Sequence, residues 1–366
     1  MTCCWRRFVH LLNSGFDGHH PLLDEDGNPW PVGTTQAMWA GRELCGGQYF
    51  PVFWNGAGDL EYLSNELKFP HHNSNRPCWL CPISRVAGDE CLLTDCRKHA
   101  TWKSRLFGPE MAFDHPTDHY ILKIEGASRY LFHGDMQHSM HLGVDALLAG
   151  SVLADLVLNS GWVGTREDLT QDLWSMVQTE YLKLVGASKL CDLRWSMFWH
   201  GETRFPCLRG HAMEIHHVLL SLPAILQSLS DGSVYHNVRL KAVESLVGLH
   251  SVFADAGICL SDSEAARAVE LADDFMISNN YLLRQAMRRR QVLYNIVTKT
   301  HMTWHIADMA RWQNPSLTAC FDFEDFMGDI KKCAQASIAG SQLSLIGSKV
   351  LEHFLLSLHL RLADEI

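Results

Sequence analysis

Apolar residues recur at helical spacing along most of the chain after Asp135, and this periodicity limits the possible folds more than any other feature of the sequence. Such spacing places the apolar side chains on one face of each helix, where a core must cover them. With 366 residues, 47% of them hydrophobic, the chain can build that core. The helical segments are residues 140–158, 173–184, 212–229, 240–253 and 265–297. We therefore predict a globular protein that is almost entirely helical after Asp135.

The part of the chain before Asp135 has a different character. Turn-rich segments at residues 24–33 and 55–58 separate short apolar runs. Runs of this length between turn residues are typical of strands, and we predict strands at residues 49–54, 120–124 and 130–133. The predicted fold class is therefore α/β together with a large all-α part.

The chain is acidic, with a net charge of −10 and 20% charged residues. This balance argues against broad, non-specific binding to the phosphates of a nucleic acid. It is compatible with a local basic groove, and the residues that could form one are Arg284, Arg288, Arg289, Arg290 and Lys299. The alternative is that these side chains form the solvated face of a long helix.

No apolar run is long enough to span a membrane, since the best one, residues 146–158, is short and contains Asp155. The residues after Met1 lack the basic segment and apolar core of a secretory signal. We therefore expect a nuclear or cytoplasmic protein. In that setting the twelve cysteines are expected to be reduced core thiols or metal ligands rather than disulfides.

Cysteines and histidines cluster between residues 71 and 99. The possible zinc ligands there are Cys78, Cys81, Cys91, Cys96, His99, His71 and His72. Cys78 and Cys81 form a C-x2-C turn that presents two thiolates to one ion, and zinc needs two further nitrogen or sulfur ligands. The alternative is that these thiols pack beside Trp79 as ordinary core residues. We predict a closed, structural zinc site, with no open position for catalysis.

Asp135 lies between a short apolar run and a predicted helix that carries His138 and His141. Steps of three residues keep these side chains near one helix face. A carboxylate at the end of a strand is a common Mg²⁺ ligand, whereas an aspartate at the start of a helix is more often its N-cap. Taken alone, the segment favours the N-cap.

A second acidic segment, residues 320–328, lies near the end of the chain. Its phenylalanines would bury one side and leave the acids Asp322, Glu324 and Asp325 to face a site. Upstream of it, His301 and His305 are four residues apart on a predicted helix. That spacing can hold a metal ion but is more often found in core or surface histidines.

Taken in order, these segments resemble the DDE transposases of the CACTA-like and Plavaka-like groups, transposon-derived proteins of protists and of dinoflagellates especially. Residues 58–81 are similar to the family passage in which Gly-Asp precedes a short helix and Pro-Cys-x2-Cys. Asp135-x2-His138 and the following Leu142-Gly143 resemble the family's second landmark. Residues 323–328 resemble the late passage that carries its third acid.

The resemblance implies an RNase H-like core interrupted by a helical insertion, with carboxylates that hold two Mg²⁺ ions for DNA strand cleavage and transfer. It assigns the second acid to Asp135, with His138 beside it, and the third to Glu324, with Asp325 as the alternative. The family's first acid has no match in its motif. Asp59 is the first candidate to replace that acid.

Asp17 is the other stand-in for the first acid. Because a two-metal site needs its full set of carboxylates, the resemblance implies a degenerate, N-terminally truncated and inactive copy. Its partners would be DNA at transposon ends and further copies of itself. The implied divisions are core strands and loops in 1–70, a zinc-binding segment in 71–105, core strands and a helix in 106–160, a helical insertion in 161–298 and core helices in 299–366.

Two functions from other classes stay open. In the first, the chain is a non-catalytic, zinc-stabilised helical protein that binds a partner or DNA, Asp135 is an N-cap and Glu324 is a solvated side chain. In the second, a helical metal hydrolase uses the histidines His133, His138, His141, His301 and His305. The sequence contains no recognisable hydrolase motif that orders these histidines.

Overall fold

The computed structural model describes residues 2–47, 52–56, 58–108, 119–184, 188–338 and 342–364. The chain is mostly helical, at 59%. It divides into two compact units, Met1–Thr318 and Ala319–Ile366. The large all-α part predicted from the sequence is therefore confirmed.

The first unit is built from α-helices joined by loops and single 3-10 turns. The helices are α1 (Thr2–Phe16), α2 (Thr35–Trp39), α3 (Leu60–Asn65), α4 (Ala146–Asn159), α5 (Arg166–Tyr181), α6 (Trp195–Phe198), α7 (Ala212–Ser228), α8 (Val234–Asp255), α9 (Asp262–Arg288) and α10 (Thr298–Met309). A π-helix, Gln137–Asp145, runs directly into α4. The 3-10 turns are Leu44–Gly47, Thr101–Ser104, Tyr120–Lys123, Arg129–Leu131 and Pro315–Thr318.

Local capping fixes where several of these helices begin. A capping box starts α9, because Ser261 and Glu264 exchange side-chain and backbone hydrogen bonds. The same helix ends earlier than its apolar pattern predicts. Arg290 adopts a left-handed conformation with φ of 58°, which stops the helix before α10 begins. Residues 288–290 are exposed, as expected of a solvated helix end.

Helix α4 lies in the core, with nearly all of its side chains buried. Gly150 allows a loop to approach it closely, since a Cβ there would lie 2.7 Å from the backbone nitrogen of Leu208. Asp155, although fully buried, is paired: it accepts hydrogen bonds from Arg239 at 3.0 Å and from the hydroxyl of Tyr294 at 2.6 Å. A buried carboxylate is tolerated only with such partners.

One continuous helix of the described residues, Gln137–Asn159, has the length and composition to cross a membrane. However, 83% of its apolar window is buried inside the molecule. Burial of this kind is typical of a core helix. The described part of the chain thus lacks the repeated spans of a multi-span membrane protein.

The predicted strands are not found in the described residues. Residues 120–123 and 129–131 form 3-10 turns instead, because His119 and Ser128 cap them through their side chains and short apolar runs do not specify a strand by themselves. Residues 52–54 have no regular structure, and residues 49–51 lie outside the described ranges. Only isolated bridges occur, such as Gly56 with Phe132. In the described part, the sheet of an RNase H-like core is therefore absent.

The second unit is a helical hairpin. Helices α11 (Phe321–Ile338) and α12 (Ile346–Asp364) are joined through a 3-10 turn at Leu343–Leu345. They pack against each other through the rings of Phe326 and Phe354, whose centroids are 5.3 Å apart. This unit contains the late acidic segment that the sequence singles out.

Candidate metal centre

Four buried side chains of the first unit converge on one point: Cys78, Cys81, His301 and His305. Cys78 Sγ lies 3.5 Å from His305 Nε2, and Cys81 Sγ lies 3.3 Å from His301 Nε2. The two Nε2 atoms are 3.0 Å apart. All four ligand atoms lie within 4.8 Å of one another, so one ion at their centre could reach them all.

These distances match the edges of a zinc tetrahedron. With Zn–S of about 2.3 Å and Zn–N of about 2.0 Å, a tetrahedral site has S···N edges of about 3.5 Å and N···N edges of about 3.3 Å. The observed separations of 3.5, 3.3 and 3.0 Å are close to those values. The four donors are thus preorganised for a four-coordinate ion.

The two halves of this Cys2His2 cluster come from distant parts of the chain. Cys78 and Cys81 belong to an irregular loop, whereas His301 and His305 lie one turn apart on α10, where a separation of four residues aligns the two rings. Trp102 packs edge-on against His301 at 4.4 Å between centroids. Water is therefore kept from a site whose ligands are all buried.

The protonation states of the cluster also suit a metal ion. Burial opposes ionisation of Cys78, but a hydrogen bond from Cys81 and the nearby His305 and His301 hold its pKa well below the ordinary value. Burial, the hydrogen bond with Cys78 and its charge raise the pKa of Cys81 well above the ordinary value, and burial lowers the pKa of His301 to about 4. An ionised Cys78 and a neutral His301 are the states in which these side chains bind zinc, and a metal would displace the thiol proton of Cys81.

The sequence identified half of these ligands. Cys78 and Cys81 are in the cluster as predicted, but Cys91, Cys96 and His99 are not. Cys96 is a buried thiol whose pKa burial raises to about 12, Cys91 is also buried, and His99 is exposed. Residues 71–105 therefore do not form a self-contained zinc-binding segment.

The sequence contains a signal for the missing ligands, because His301 and His305 have the i, i+4 spacing of a metal-binding helix. The sequence does not show, however, that these histidines lie next to Cys78 and Cys81; only the fold does. His71 and His72 stack on each other and face Glu61 at the surface, away from the Cys2His2 cluster.

The structure uses Asp135 to start a helix. Its carboxylate accepts hydrogen bonds from the backbone nitrogens of Gln137 at 3.2 Å and His138 at 2.7 Å, and it contacts His138 Nδ1 at 2.5 Å. Asp59 has the same task at α3, where it accepts from the backbone nitrogen of Tyr62. Both aspartates thus make N-cap hydrogen bonds, the ordinary role of this residue at a helix start.

Asp59 and Asp135 nevertheless act on one cation. Burial lowers the pKa of Lys299, and the charges of Asp135 and Asp59 oppose that shift. Lys299 lines a cleft of about 310 Å³ together with Arg85 and His72. Two of the predicted acids therefore lie within electrostatic range of the same lysine.

The other predicted acids lie elsewhere in the chain. Glu324 and Asp325 are exposed residues of α11 in the second unit, and Asp17 is exposed just after α1 in the first. The resemblance implies that Glu324 and Asp135 share one metal site, and this stays a prediction.

Comparison of the chain with protein-family models, with curated proteins and with solved structures finds no match.

Proposed function

We propose that this chain is a non-catalytic, zinc-stabilised helical protein, and that Cys78, Cys81, His301 and His305 hold the ion. The observation that carries the proposal is the closed, buried arrangement of four donors at tetrahedral separations. Two thiolates and two imidazoles form a ligand set that favours zinc over Mg²⁺ or Ca²⁺. Catalytic zinc sites keep one position for water, and here protein ligands supply all four.

The ion would fasten an irregular loop to the helical core. Residues 71–105 contain a single 3-10 turn as their regular structure, so isolated turn and loop hydrogen bonds, rather than a helix or a sheet, hold most of this segment. Zinc would link it to α10 at two points, one turn apart. Since structural zinc contributes its binding free energy to folding, the loop and its contact with α10 would depend on metal.

Metal analysis tests this proposal. Purified protein should contain zinc, and the cobalt-substituted protein should show thiolate-to-cobalt charge transfer together with the intense d–d absorption of a tetrahedral site. Cys81→Ser should abolish the charge-transfer band or shift it strongly. Cys96→Ser is the matched control, since Cys96 is buried outside the cluster. Protein without bound metal, or equal spectra for both variants, would contradict the assignment.

A degenerate DDE transposase-like protein is the second candidate function. It is supported by the common influence of Asp59 and Asp135 on Lys299 and by the helices that occupy residues 161–298. The positive charge of Lys299 offsets part of the negative charge that two Mg²⁺ ions would require from these acids, so this reading also predicts no strand transfer. Mg²⁺- or Mn²⁺-dependent nicking of DNA that disappears in both Asp135→Ala and Glu324→Ala would favour an active transposase over the first proposal.

A further inference from the structure

A second group of metal-capable side chains lies inside the first unit, on elements that the Cys2His2 cluster does not use. It consists of His141 and Asp145 on the π-helix, His216 on α7 and His250 on α8. Their ligand atoms all lie within 4.8 Å of one another. His141, Asp145 and His250 are buried, and His216 is nearly so.

The separations around Asp145 again resemble the edges of a coordination tetrahedron. Asp145 Oδ2 lies 2.9 Å from His250 Nε2, 3.2 Å from His141 Nδ1 and 3.8 Å from His216 Nδ1. With metal–ligand bonds of about 2.0 Å, N···O edges of about 3.3 Å are expected. The mean of the observed values is close to that edge length.

The charge of the group calls for a cation. Asp145 is fully buried, and its only ion-pair partners among the described residues are these three histidines. The imidazole rings lie 4.6 to 4.8 Å apart between centroids, so two protonated rings would repel each other. A buried carboxylate needs a compensating positive charge, and a divalent cation held at the centre of the three rings would supply it.

A hydrogen-bonded network would leave part of this arrangement unexplained. His216 Nδ1 is buried and has no hydrogen-bond partner, and its 3.8 Å separation from Asp145 Oδ2 is too long for a hydrogen bond. A metal ion at the centre would use the lone pair of that nitrogen. Long π-helical stretches are rare and frequently accompany functional sites, and one of nine residues carries two members of the group.

We propose that His141, Asp145, His216 and His250 form a second site, for a divalent transition-metal ion such as zinc. Three imidazoles and one carboxylate suit borderline ions of this class better than Mg²⁺ or Ca²⁺, which prefer oxygen. The ion joins the π-helix to α7 and α8. It is chemically distinct from the first site because it has no sulfur ligand.

The two sites can be counted separately by titrating metal-free protein with Co²⁺. The wild type should bind two equivalents, one with thiolate-to-cobalt charge transfer and one with d–d absorption alone. His216→Gln should lose the equivalent without charge transfer and keep the other. The matched control is His217→Gln, because His217 is adjacent, bonds to the carbonyl of Ser188 and lies outside the group.

The outcomes separate this inference from the proposed function. One equivalent, with all d–d absorption developing in step with charge transfer, would overturn the second site and keep the first. If the wild type binds one equivalent without charge transfer, and His216→Gln loses it, the second site is supported and the Cys2His2 site is overturned. Two equivalents in His216→Gln would also refute the assignment, since the second ion would lie elsewhere. If that variant does not fold by circular dichroism, the wild-type titration decides.

Discussion

The free energy of unfolding of this protein should rise with the logarithm of the free zinc concentration. The slope of that dependence should be proportional to the number of zinc ions that are released on unfolding. The Cys2His2 ligands are separated by 220 and 227 residues across the pairs Cys81–His301 and Cys78–His305. Unfolding therefore disperses them. Reclosing a loop of this length in the unfolded chain costs about 5 kcal/mol of entropy, so the unfolded state cannot reproduce the site.

The magnitude follows from linkage between binding and folding. Above the dissociation constant, each tenfold rise in free zinc adds about 1.4 kcal/mol to the unfolding free energy for each ion released. The Cys2His2 site alone gives a slope of about 1.4 kcal/mol per decade. Occupancy of both sites gives about 2.7 kcal/mol per decade.

Urea unfolding followed by circular dichroism, in zinc buffered by a chelator, measures this slope. The midpoint should move while the denaturant dependence stays constant. His305→Ala should remove one ion's share of the slope, and Cys96→Ser should leave it unchanged. A wild-type midpoint that is independent of free zinc over several decades would refute the reasoning, because the four donors would then hold no ion that folding needs.

Three further predictions concern the core of the first unit, each measured as the free energy of unfolding in denaturant. Asp155→Asn leaves the buried Arg239 guanidinium without its countercharge and should cost about 3–5 kcal/mol; a cost below about 1 kcal/mol would show that the pair is not needed. Gly150→Ala places a Cβ 2.7 Å from a neighbouring backbone nitrogen and should cost about 1–3 kcal/mol, whereas the control Gly257→Ala meets open space and should change little. Burial lowers the pKa of His133 from 6.5 to about 4. The unfolded chain therefore binds this proton first, and stability should fall by about 3 kcal/mol as pH drops through that window. His133→Leu should lose that part of the pH dependence, and an unchanged pH profile would contradict the assignment.

Much of the helical architecture is determined by the sequence itself, because the forces that place a helix act over three or four residues. The apolar pattern at 212–229 corresponds to α7 (Ala212–Ser228), and the capping box at Ser261 marks the start of α9. The same reasoning fails for residues 120–124 and 130–133. Their short apolar runs fit a strand or a turn equally well, and local side-chain caps selected 3-10 turns.

The ligands of the candidate site also fall into two groups, those that local sequence spacing identifies and those that only tertiary packing brings together. Cys78 and Cys81 are recognisable from local spacing, because a C-x2-C turn brings two thiolates together whatever the fold. His301 and His305 also form a local pair, but only tertiary packing brings α10 to the cysteine loop, more than 200 residues away along the chain. Cys91 and Cys96 are closer in sequence and yet lie outside the cluster. Metal ligation depends on distances of a few ångströms in space, and separation along the chain does not set them.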